Sequence, residues 1–368
     1  MRIVRIETYL KKDIPVCRVY ADTGDCGTGQ CSTYGGAITV KVLHEMLAPM
    51  ILGEDALEIE RIADKIMDRT MKFPGSFVCR ALSGIDTALW DLKGKLFGQP
   101  VARLLGGPLR DAVPMYASSM QRDISPEDEA ERLLRLVREQ GFRAVKIRIG
   151  AGPHAMMGAD RDMYPGRTEA LVEAVRKALG DGVRMNADAN SSYTAHMAIR
   201  VGRVLERFGA FHFEEPCPYP DIESTKEVAD ALDVYVAGGE QDNSTAQFRR
   251  MIAMRAVDIV QPDILYIGGI ARARRVAAMA HEFGLACTPH AANRAMIQLF
   301  TLHFAAAMPN CFYEQEWTIE PTEWSDGLLE RPLEIADGCV KVPEGPGWGI
   351  EVSDAWLRDA EVRASELK

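Results

Sequence analysis

The pattern of hydrophobic and polar positions divides the chain into two zones that meet near residue 110. The first zone opens with two β-like runs, 3–9 and 16–20, and a stretch rich in Gly, Ser, Thr and Cys follows at 23–36. Such a stretch predicts a mobile loop. Apolar residues then recur at spacings of three and four over 78–96, which predicts an amphipathic helix. This zone therefore predicts an α+β domain.

In the second zone, short apolar strands alternate with amphipathic helices. The predicted strands are 113–119, 144–150, 184–190, 210–216, 235–241, 258–263, 286–290 and 311–316. Helical patterns lie between them, as at 126–140, 168–179, 193–207, 222–232, 270–283 and 295–306. Because parallel strands need crossover connections, eight β units joined by helices predict an α/β fold with a parallel barrel. An open doubly wound sheet is the alternative, but its nucleotide motifs, strand–GxGxxG–helix and GxxxxGK[ST], are missing from the sequence.

Composition and charge narrow the classes of function. The 368 residues are 47% hydrophobic and 26% charged, as in an ordinary globular protein. The net charge of −10 argues against nucleic acid or an anionic membrane as the main partner. We find neither a long apolar run that could span a bilayer nor a secretory signal at the start. Eight scattered cysteines without a CxxC pair favour a reduced compartment, so we expect a cytoplasmic protein.

Acidic residues stand at the ends of three successive predicted strands. Asp188, Glu214 and Glu240 follow one another at separations of 26 residues, about one βα unit. A single acid at a strand end means little, because strands meet solvent there. Three in register would converge on one rim of a barrel, where barrel enzymes have their active sites. Oxygen ligands without His or Cys favour a hard cation, above all Mg²⁺.

The same register continues on both sides of these carboxylates. Asp263 and His290 end the next two predicted strands, 27 residues apart, and such an Asp can hold the imidazole and raise its basicity. Glu314 ends the last predicted strand, 24 residues after His290. Upstream, Lys146 and Arg148 share one face of a strand because side chains alternate. These residues therefore predict a catalytic site around the metal.

One βα unit is longer than the others. Lys146 and Asp188 are 42 residues apart, and the excess lies at 150–166, which contains Tyr164. Loops of this length are more often functional or disordered than neutral. We expect this loop to lie over the rim, where substrate would bind.

The order of these motifs resembles the enolase superfamily, mandelate racemase subgroup. The likeness rests on Lys-x-Arg, Asp-x-Asn, Glu-Glu-Pro, Gly-Glu, Asp and His on successive strands, together with the sequences of 88–95 and 343–349. It covers essentially the whole chain. It implies a modified TIM barrel, (β/α)7β, at 113–328, with an N-terminal α+β capping domain at 1–112. The C-terminal segment, 329–368, would pack back on the capping domain.

The resemblance also implies roles for the metal ligands and for a proton-transferring pair. Asp188, Glu214 and Glu240 match the Mg²⁺ ligands of the family. Asp263 and His290 match its Asp–His dyad, in which the imidazole transfers a proton at the carbon α to a carboxylate. Enzymes of this superfamily use a Lys or His base beside an enediolate that Mg²⁺ stabilises.

Other matches concern the groups around the reacting carbon. Glu314 matches the acid that hydrogen-bonds the enediolate, and Lys146 matches the first lysine of a Lys-x-Lys motif. Arg148 stands where many members have a second, catalytic lysine. Since arginine stays protonated, it is a poor proton acceptor, although it binds carboxylates well. Tyr164 is a lesser candidate for a second acid or base.

These inferences together predict a Mg²⁺-dependent acid-sugar dehydratase, a hydro-lyase of carbohydrate catabolism. It would remove the proton α to a carboxylate, form an enediolate and eliminate the β-hydroxyl to give a 2-keto-3-deoxy acid. An aldarate such as galactarate is slightly favoured over an aldonate, and Arg122 or Arg161 could bind its second carboxylate. The capping segments 23–36 and 52–54 would close over that end. We also expect a homo-oligomer.

Three kinds of alternative remain. A racemase or epimerase of a 2-hydroxy acid, or a lactone cycloisomerase, would use the same enediolate chemistry with a base on the opposite face. A non-catalytic barrel is less favoured, because it would have no need of the metal ligands together with the dyad. A zinc hydrolase is weaker still, since the sequence has no His-x-His.

Overall fold

The N-terminal part of the chain forms an antiparallel sheet packed against helices, in a computed structural model that describes residues 1–152 and 155–368. The sheet has the order β13-β1-β2-β3, with β1 (Ile3–Lys11), β2 (Ile14–Ala21), β3 (Cys26–Gln30) and, from the C-terminus, β13 (Glu361–Glu366). Its helices are α1 (Gly36–Val42), α2 (Ala48–Ile51), α3 (Ile59–Arg69), α4 (Ser76–Phe97) and α5 (Val101–Leu104), and a π-helical turn, Leu43–Leu47, joins the first two. We call this part the capping domain.

Eight parallel strands follow and form the barrel. They are β4 (Ala112–Ser118), β5 (Ala144–Arg148), β6 (Arg184–Asp188), β7 (His212–Glu214), β8 (Tyr235–Gly238), β9 (Ile259–Val260), β10 (Ala286–Cys287) and β11 (Gln315–Thr318). Consecutive strands from β4 to β10 are neighbours, and β11 pairs with β4, so the sheet curls back on its first strand. The prediction of a modified barrel rather than an open sheet is confirmed.

Helices cover the outside of the barrel, as the sequence pattern predicts. They are α6 (Pro126–Gln140), α7 (Arg167–Leu179), α8 (Ala195–Arg207), α9 (Ile222–Ala231), α10 (Thr245–Met254), α11 (Ile264–Ile267), α12 (Ile270–Glu282) and α13 (Ile297–Ala307). The C-terminal segment adds β12 (Cys339–Lys341), antiparallel to β4, and α14 (Asp354–Leu357). None of the described helices combines the length and the hydrophobicity that crossing a membrane would require.

The glycine-rich segment 23–36 differs from its prediction, because part of it is strand β3 and not a mobile loop. Gly27 and Gly29 of this strand lie directly against the backbone of α4. A Cβ on Gly27 would lie 2.0 Å from the carbonyl oxygen of Ala88, and one on Gly29 would lie 2.4 Å from its amide nitrogen. The glycines therefore allow close packing of a strand on a helix. Glycine content alone does not distinguish this from a flexible loop.

Trp348 of the C-terminal segment joins the capping domain to the barrel. Its indole Nε1–H donates to the carbonyl of Thr87 (3.1 Å), and its backbone N–H donates to Asp91 Oδ1 (3.0 Å). Its own carbonyl accepts a hydrogen bond from His303 Nε2 on the barrel helix α13 (3.0 Å). His303 Nδ1 in turn accepts the backbone N–H of Ala102 (3.2 Å). The buried histidine is therefore held in its neutral form between two backbone groups.

A second connection fixes helix α4 over the barrel. Asp86 of α4 is buried, and its carboxylate accepts the backbone N–H groups of Ile270 (2.6 Å) and Ala271 (3.3 Å) at the start of α12. Burial raises the pKa of Asp86 to about 7, although these two hydrogen bonds lower it. A carboxylate at a helix N-terminus satisfies free N–H groups and interacts with the helix dipole. The capping domain is thus attached close to the ends of the last barrel strands.

The buried His303 predicts a loss of stability in mild acid. Burial lowers the pKa of His303 to about 4, whereas an unfolded histidine has a pKa near 6.5. Between these values the unfolded chain binds more protons, so the His303 contribution is complete above pH 6.5 and falls with falling pH. The expected loss is about 2 kcal/mol of unfolding free energy between pH 7 and pH 5.

Denaturant titrations at pH 7, 6 and 5 on the wild type and on His303→Gln would measure this contribution. The variant should be less stable at pH 7 and should lack this part of the pH dependence. Parallel pH profiles for the two proteins would show that His303 does not supply it.

Candidate active site

The three carboxylates predicted as metal ligands come together at the barrel mouth. The ladder places Asp188 opposite Glu214, at the carboxyl ends of β6 and β7, and Glu240 follows the end of β8. One oxygen of each carboxylate lies within 4.8 Å of the others, and all three side chains are buried. Parallel strands joined by similar βα units end at the same level, which is why a spacing of 26 residues brings these groups to one rim.

The donor set fits a hard divalent cation. Three buried carboxylates repel one another unless positive charge lies between them. Glu240 Oε2 has no hydrogen-bond partner in the described structure, although it is buried. Burial, with the nearby Glu214 carboxylate, raises the pKa of Glu240 despite the opposing effect of His290. An unsatisfied carboxylate oxygen facing two others is what a cation with oxygen ligands would satisfy.

Lys146 supplies a fixed positive charge at this centre. Its Nζ lies 2.7 Å from Glu214 Oε1, 2.8 Å from Glu316 Oε1 and 3.5 Å from Asp188 Oδ2, and the side chain is completely buried. Burial alone would lower the pKa of Lys146, but the Glu214 and Glu316 carboxylates raise it. Lys146 therefore remains an ammonium group, able to donate hydrogen bonds and unable to accept a proton.

Arg148, two residues along the same strand, donates hydrogen bonds to several acceptors of the site. Its guanidinium forms an ion pair with Asp188, and it donates to the carbonyl of Ser119 (3.0 Å) and to Asn190 Oδ1 (3.0 Å). Arg122 donates to the same Asn190 oxygen at 2.7 Å. A guanidinium in this position orients a carboxylate and does not act as a base.

His290 and Asp263 form the predicted pair. His290 Nδ1 lies 2.7 Å from Asp263 Oδ2. The other oxygen of Asp263 accepts the backbone N–H groups of Leu265 (2.7 Å) and Tyr266 (3.1 Å) at the start of α11, so the carboxylate is held on both sides. This contact fixes the tautomer, because a proton on Nδ1 leaves Nε2 as the free base.

Nε2 of His290 faces one predicted metal ligand and the neighbouring Glu316. It lies 3.4 Å from Glu240 Oε2 and 3.8 Å from Glu316 Oε2. Burial opposes protonation, yet Glu240, Glu316 and the hydrogen bond with Asp263 raise the pKa of His290 to about 10. A cation bound by Glu240 would offset the charge of that carboxylate and lower the pKa of His290 towards the range of a working base.

The prediction for Glu314 is wrong. Both oxygens of Glu314 lie 2.8 Å from Arg184 Nη1, and Arg184 begins strand β6, so Glu314 is at the amino end of the barrel. Strand β11 starts only at Gln315, whereas the sequence pattern placed its end near residue 316. The strand is therefore displaced along the chain, and the residue at the rim is Glu316, on the same face by the period of two.

Glu316 occupies the position expected of the missing acid. Its Oε1 accepts from Ser118 Oγ (2.8 Å) and lies 2.8 Å from Lys146, and its Oε2 accepts the N–H of Ala291 (2.9 Å). Burial would raise the pKa of Glu316, but Lys146 and His290 lower it to about 2. The group is therefore an ionised acceptor in this arrangement and not a protonated donor.

The positions of Tyr164, Arg161 and the segment 52–54 do not support the roles predicted for them at the site. Tyr164 is 49% exposed on the loop before α7, and no described hydrogen bond links its side chain to the site. Arg161 of the same loop is exposed. The segment 52–54 is tied to the start of β1, where Gly53 donates to the carbonyl of Ile3 (2.8 Å), and no described hydrogen bond connects it with the mouth.

Sequence reasoning missed several groups around the mouth. Tyr266 lies with its ring centroid 6.0 Å from that of His290, and Arg80 of the capping domain lies 3.8 Å over the Tyr266 ring. Glu215 is buried with one unpartnered oxygen, and burial together with Glu240 raises its pKa. Two signals were available: Tyr266 comes three residues after Asp263 at a predicted strand end, and Glu215 is the second residue of the Glu-Glu-Pro motif. Arg80 had none, since it comes from another domain.

Family models match nearly the whole chain. Residues 3–106 match the N-terminal domain of mandelate racemase and muconate lactonizing enzyme, and residues 128–356 match an enolase C-terminal domain-like model. Among curated proteins, arabinonate dehydratase of Saccharolobus solfataricus is 31% identical over 96% of this chain and 91% of its own length. D-galactarolactone cycloisomerase of Agrobacterium fabrum is 32% identical over 91% and 88%, and L-talarate/galactarate dehydratase of Salmonella typhimurium is 33% identical over 84% and 72%.

Solved structures show the same fold. A crystal structure from Roseobacter denitrificans, named provisionally as a racemase, is 48% identical with a TM-score of 0.96 over all of both chains. A mandelate racemase/muconate lactonizing protein from Paracoccus denitrificans, complexed with magnesium, is 31% identical with a TM-score of 0.89 over 100% of this chain and 99% of its own.

The arrangement of carboxylates predicts that Glu240 and Glu314 differ in their effect on metal binding. Glu240→Gln should weaken Mg²⁺ binding by about tenfold or more, because it removes one of three charged ligands. Glu314→Gln is the matched control, since the same change affects only the ion pair with Arg184. Isothermal titration calorimetry with Mg²⁺ on both variants would measure the difference. Equal affinities for the two variants would contradict the ligand assignment of Glu240.

Proposed function

The chain belongs to the mandelate racemase and muconate lactonizing enzyme family of the enolase superfamily, and we propose that it is a Mg²⁺-dependent acid-sugar dehydratase. One observation carries the proposal: among the described residues, His290 is placed to act as a base, 3.4 Å from Glu240 of the carboxylate cluster, and it shares the neighbouring Glu316 with the Lys146 ammonium. The substrate class comes from the relatives, several of which are dehydratases of sugar acids. Mg²⁺ is supported by the oxygen donor set and by the magnesium complex of a similar structure.

Removing a hydrogen α to a carboxylate is difficult, because the electron pair left behind adds a second negative charge to an anion. Mg²⁺ bound by Asp188, Glu214 and Glu240 would supply the main charge that stabilises such an enediolate. Lys146 would add a second fixed positive charge, since it stays protonated between Glu214 and Glu316. Both act in a buried site, where electrostatic stabilisation is strong.

His290 moves the proton in both halves of the proposed reaction. Its Nε2 removes the α proton, and the electron pair of the C–H bond forms the enediolate. That pair then forms the double bond as the bond between the β carbon and its hydroxyl breaks, and the imidazolium gives its proton to the leaving oxygen as water. The resulting enol tautomerises to the 2-keto-3-deoxy acid. Asp263 holds the ring through both steps, because it fixes Nδ1.

The groups opposite His290 favour elimination over racemisation. A racemase needs a second base, yet Lys146 is held protonated by two carboxylates and Arg148 cannot accept a proton. The second candidate is a racemase, epimerase or lactone cycloisomerase. The similarity to a galactarolactone cycloisomerase and to the Roseobacter protein favours it. Exchange of the α hydrogen with D₂O without formation of a keto acid would identify this alternative.

Three further parts of the proposal concern the substrate, the location and the assembly. An aldarate such as galactarate is favoured slightly over an aldonate, with support from one relative that acts on talarate and galactarate. All eight cysteines are unpaired, which supports a reducing, cytoplasmic location. Assembly into a homo-oligomer stays a prediction.

If His290 is the base, replacing it should greatly reduce turnover and leave Mg²⁺ binding intact. His290→Asn should reduce formation of keto acid by at least about a hundredfold, because general base catalysis is lost. Its Mg²⁺ affinity should stay within a few-fold of the wild type, since the imidazole is not a ligand. Keto products from aldonates and aldarates can be followed as semicarbazones, and Mg²⁺ affinity by calorimetry. Unchanged turnover in the variant would exclude His290 as the base.

A further inference from the structure

The guanidinium of Arg80 is fixed in place over the ring of Tyr266, which lies beside His290. Arg80 lies near the start of α4, and its Nη1–H donates to Ser32 Oγ (2.6 Å) while its Nε–H donates to Ser76 Oγ (2.8 Å). Its Cζ lies 3.8 Å over the ring of Tyr266, within the range of a cation–π contact. Two hydroxyl groups and one aromatic ring thus set the plane of the guanidinium.

This fixed cation has no counter-ion of its own. In the described residues no carboxylate lies within 4.0 Å of Arg80, and its Nη2 has no hydrogen-bond partner. Two other arginines of the barrel differ in this respect, since Arg132 is paired with Glu320 (2.9 Å) and Arg184 with Glu314 (2.8 Å). A planar, preorganised guanidinium with free N–H donors is suited to bind a carboxylate.

Arg80 lies on the His290 side of the site. The ring of Tyr266 separates the two, with its centroid 6.0 Å from that of His290 and 3.8 Å from Arg80 Cζ. Tyr34, on the segment that follows β3, meets Tyr266 edge-on at 6.1 Å and is largely exposed. The capping domain thus contributes Arg80, Ser32 and Tyr34 to the wall of the mouth beside the proposed base.

The proposed reaction determines the direction in which the rest of the substrate extends from the metal site. His290 must reach both the α carbon and the hydroxyl on the β carbon, so the second and third carbons lie against His290. The remaining carbons extend from there, away from the carboxylate held near Lys146. Arg80 is one aromatic ring beyond His290 in the direction of the capping domain.

We propose that Arg80 binds a second carboxylate at the far end of the substrate, so that the enzyme acts on aldarates, which are dicarboxylates. This assignment rests on the proposed dehydratase function and goes further by naming the residue that selects the substrate class. Ser32 and Ser76 orient the guanidinium, which lies over the ring of Tyr266.

Arg122 is a weaker choice for this role. It is directed at Asn190 (2.7 Å), which also accepts from Arg148 and whose backbone N–H donates to Asp188. These contacts link Arg122, through Asn190, to the metal ligand Asp188. Arg122 therefore supports a metal ligand, whereas the described hydrogen bonds of Arg80 leave its Nη2 donors free for a substrate carboxylate.

Galactarate and galactonate are a matched pair of probes, because they differ only in a carboxylate or a hydroxymethyl group at the sixth carbon. We would measure kcat and KM for both with Mg²⁺, on the wild type, Arg80→Gln and Arg80→Lys. Lys93→Gln is the control, since Lys93 is also stacked over an aromatic ring, Trp90, on the same helix. It lies about 20 Å further along that helix.

Arg80→Gln should raise KM for galactarate roughly 10- to 100-fold and change the values for galactonate less than about threefold. Arg80→Lys should be intermediate, because it keeps the charge without the planar fork. Lys93→Gln should match the wild type. Thermal unfolding of each variant would show whether it is folded.

Three results would overturn the assignment of Arg80. They are equal losses for galactarate and galactonate in Arg80→Gln, an unchanged KM for galactarate in that variant, and a wild type that dehydrates aldonates but no aldarate. In each case the dehydratase function would stand. If the wild type dehydrates no acid sugar at all, the proposed function fails. The Arg80 assignment is then decided by calorimetry, which should show tighter binding of galactarate than of galactonate and a difference that Arg80→Gln removes.

Discussion

The balance of charge among the buried carboxylates at the barrel mouth governs the arrangement of this protein. Removing carboxylates from water is costly unless each is paired or ligates a metal. Lys146 lies between Glu214 and Glu316, and Arg148 pairs with Asp188. Among the described residues, Glu240 is paired with the His290 ring and accepts from the amide of Gln241, and one of its oxygens has no hydrogen bond. The cluster as a whole therefore needs one more positive charge, and that charge would also adjust the basicity of His290.

The capping domain depends on the same region of the barrel for its position. Asp86 on α4 binds the amino end of α12, and Trp348 joins α4 to α13. These contacts hold the first turns of α4 over α11, the short helix that Asp263 caps. As a result Arg80 lies against Tyr266, whose ring neighbours that of His290. The capping domain, which carries the proposed substrate-selecting residue, is thereby fixed relative to the barrel.

Much of this architecture could be predicted from the sequence, because local periodicity determines the elements and equal spacing determines their register. The strands that carry Asp188 and Glu214, and the strand end beside Glu240, were predicted this way. The position of β11 could not be, since apolar residues stand on both sides of the polar residues 314–316, at 311–313 and at 317, and no residue marks the strand end. Residue Glu316 was missed for that reason. Strand β3 and Arg80 were missed because their roles depend on packing between distant segments.

The most direct test of the account is the position of a bound divalent ion. Crystals soaked in Mn²⁺, which shares the oxygen ligands of Mg²⁺, would reveal it by anomalous scattering. We predict one strong peak at roughly 2.0–2.3 Å from an oxygen of each of Asp188, Glu214 and Glu240. A peak bound by other residues, or none at saturating Mn²⁺, would contradict the central claim that these three carboxylates form the metal site.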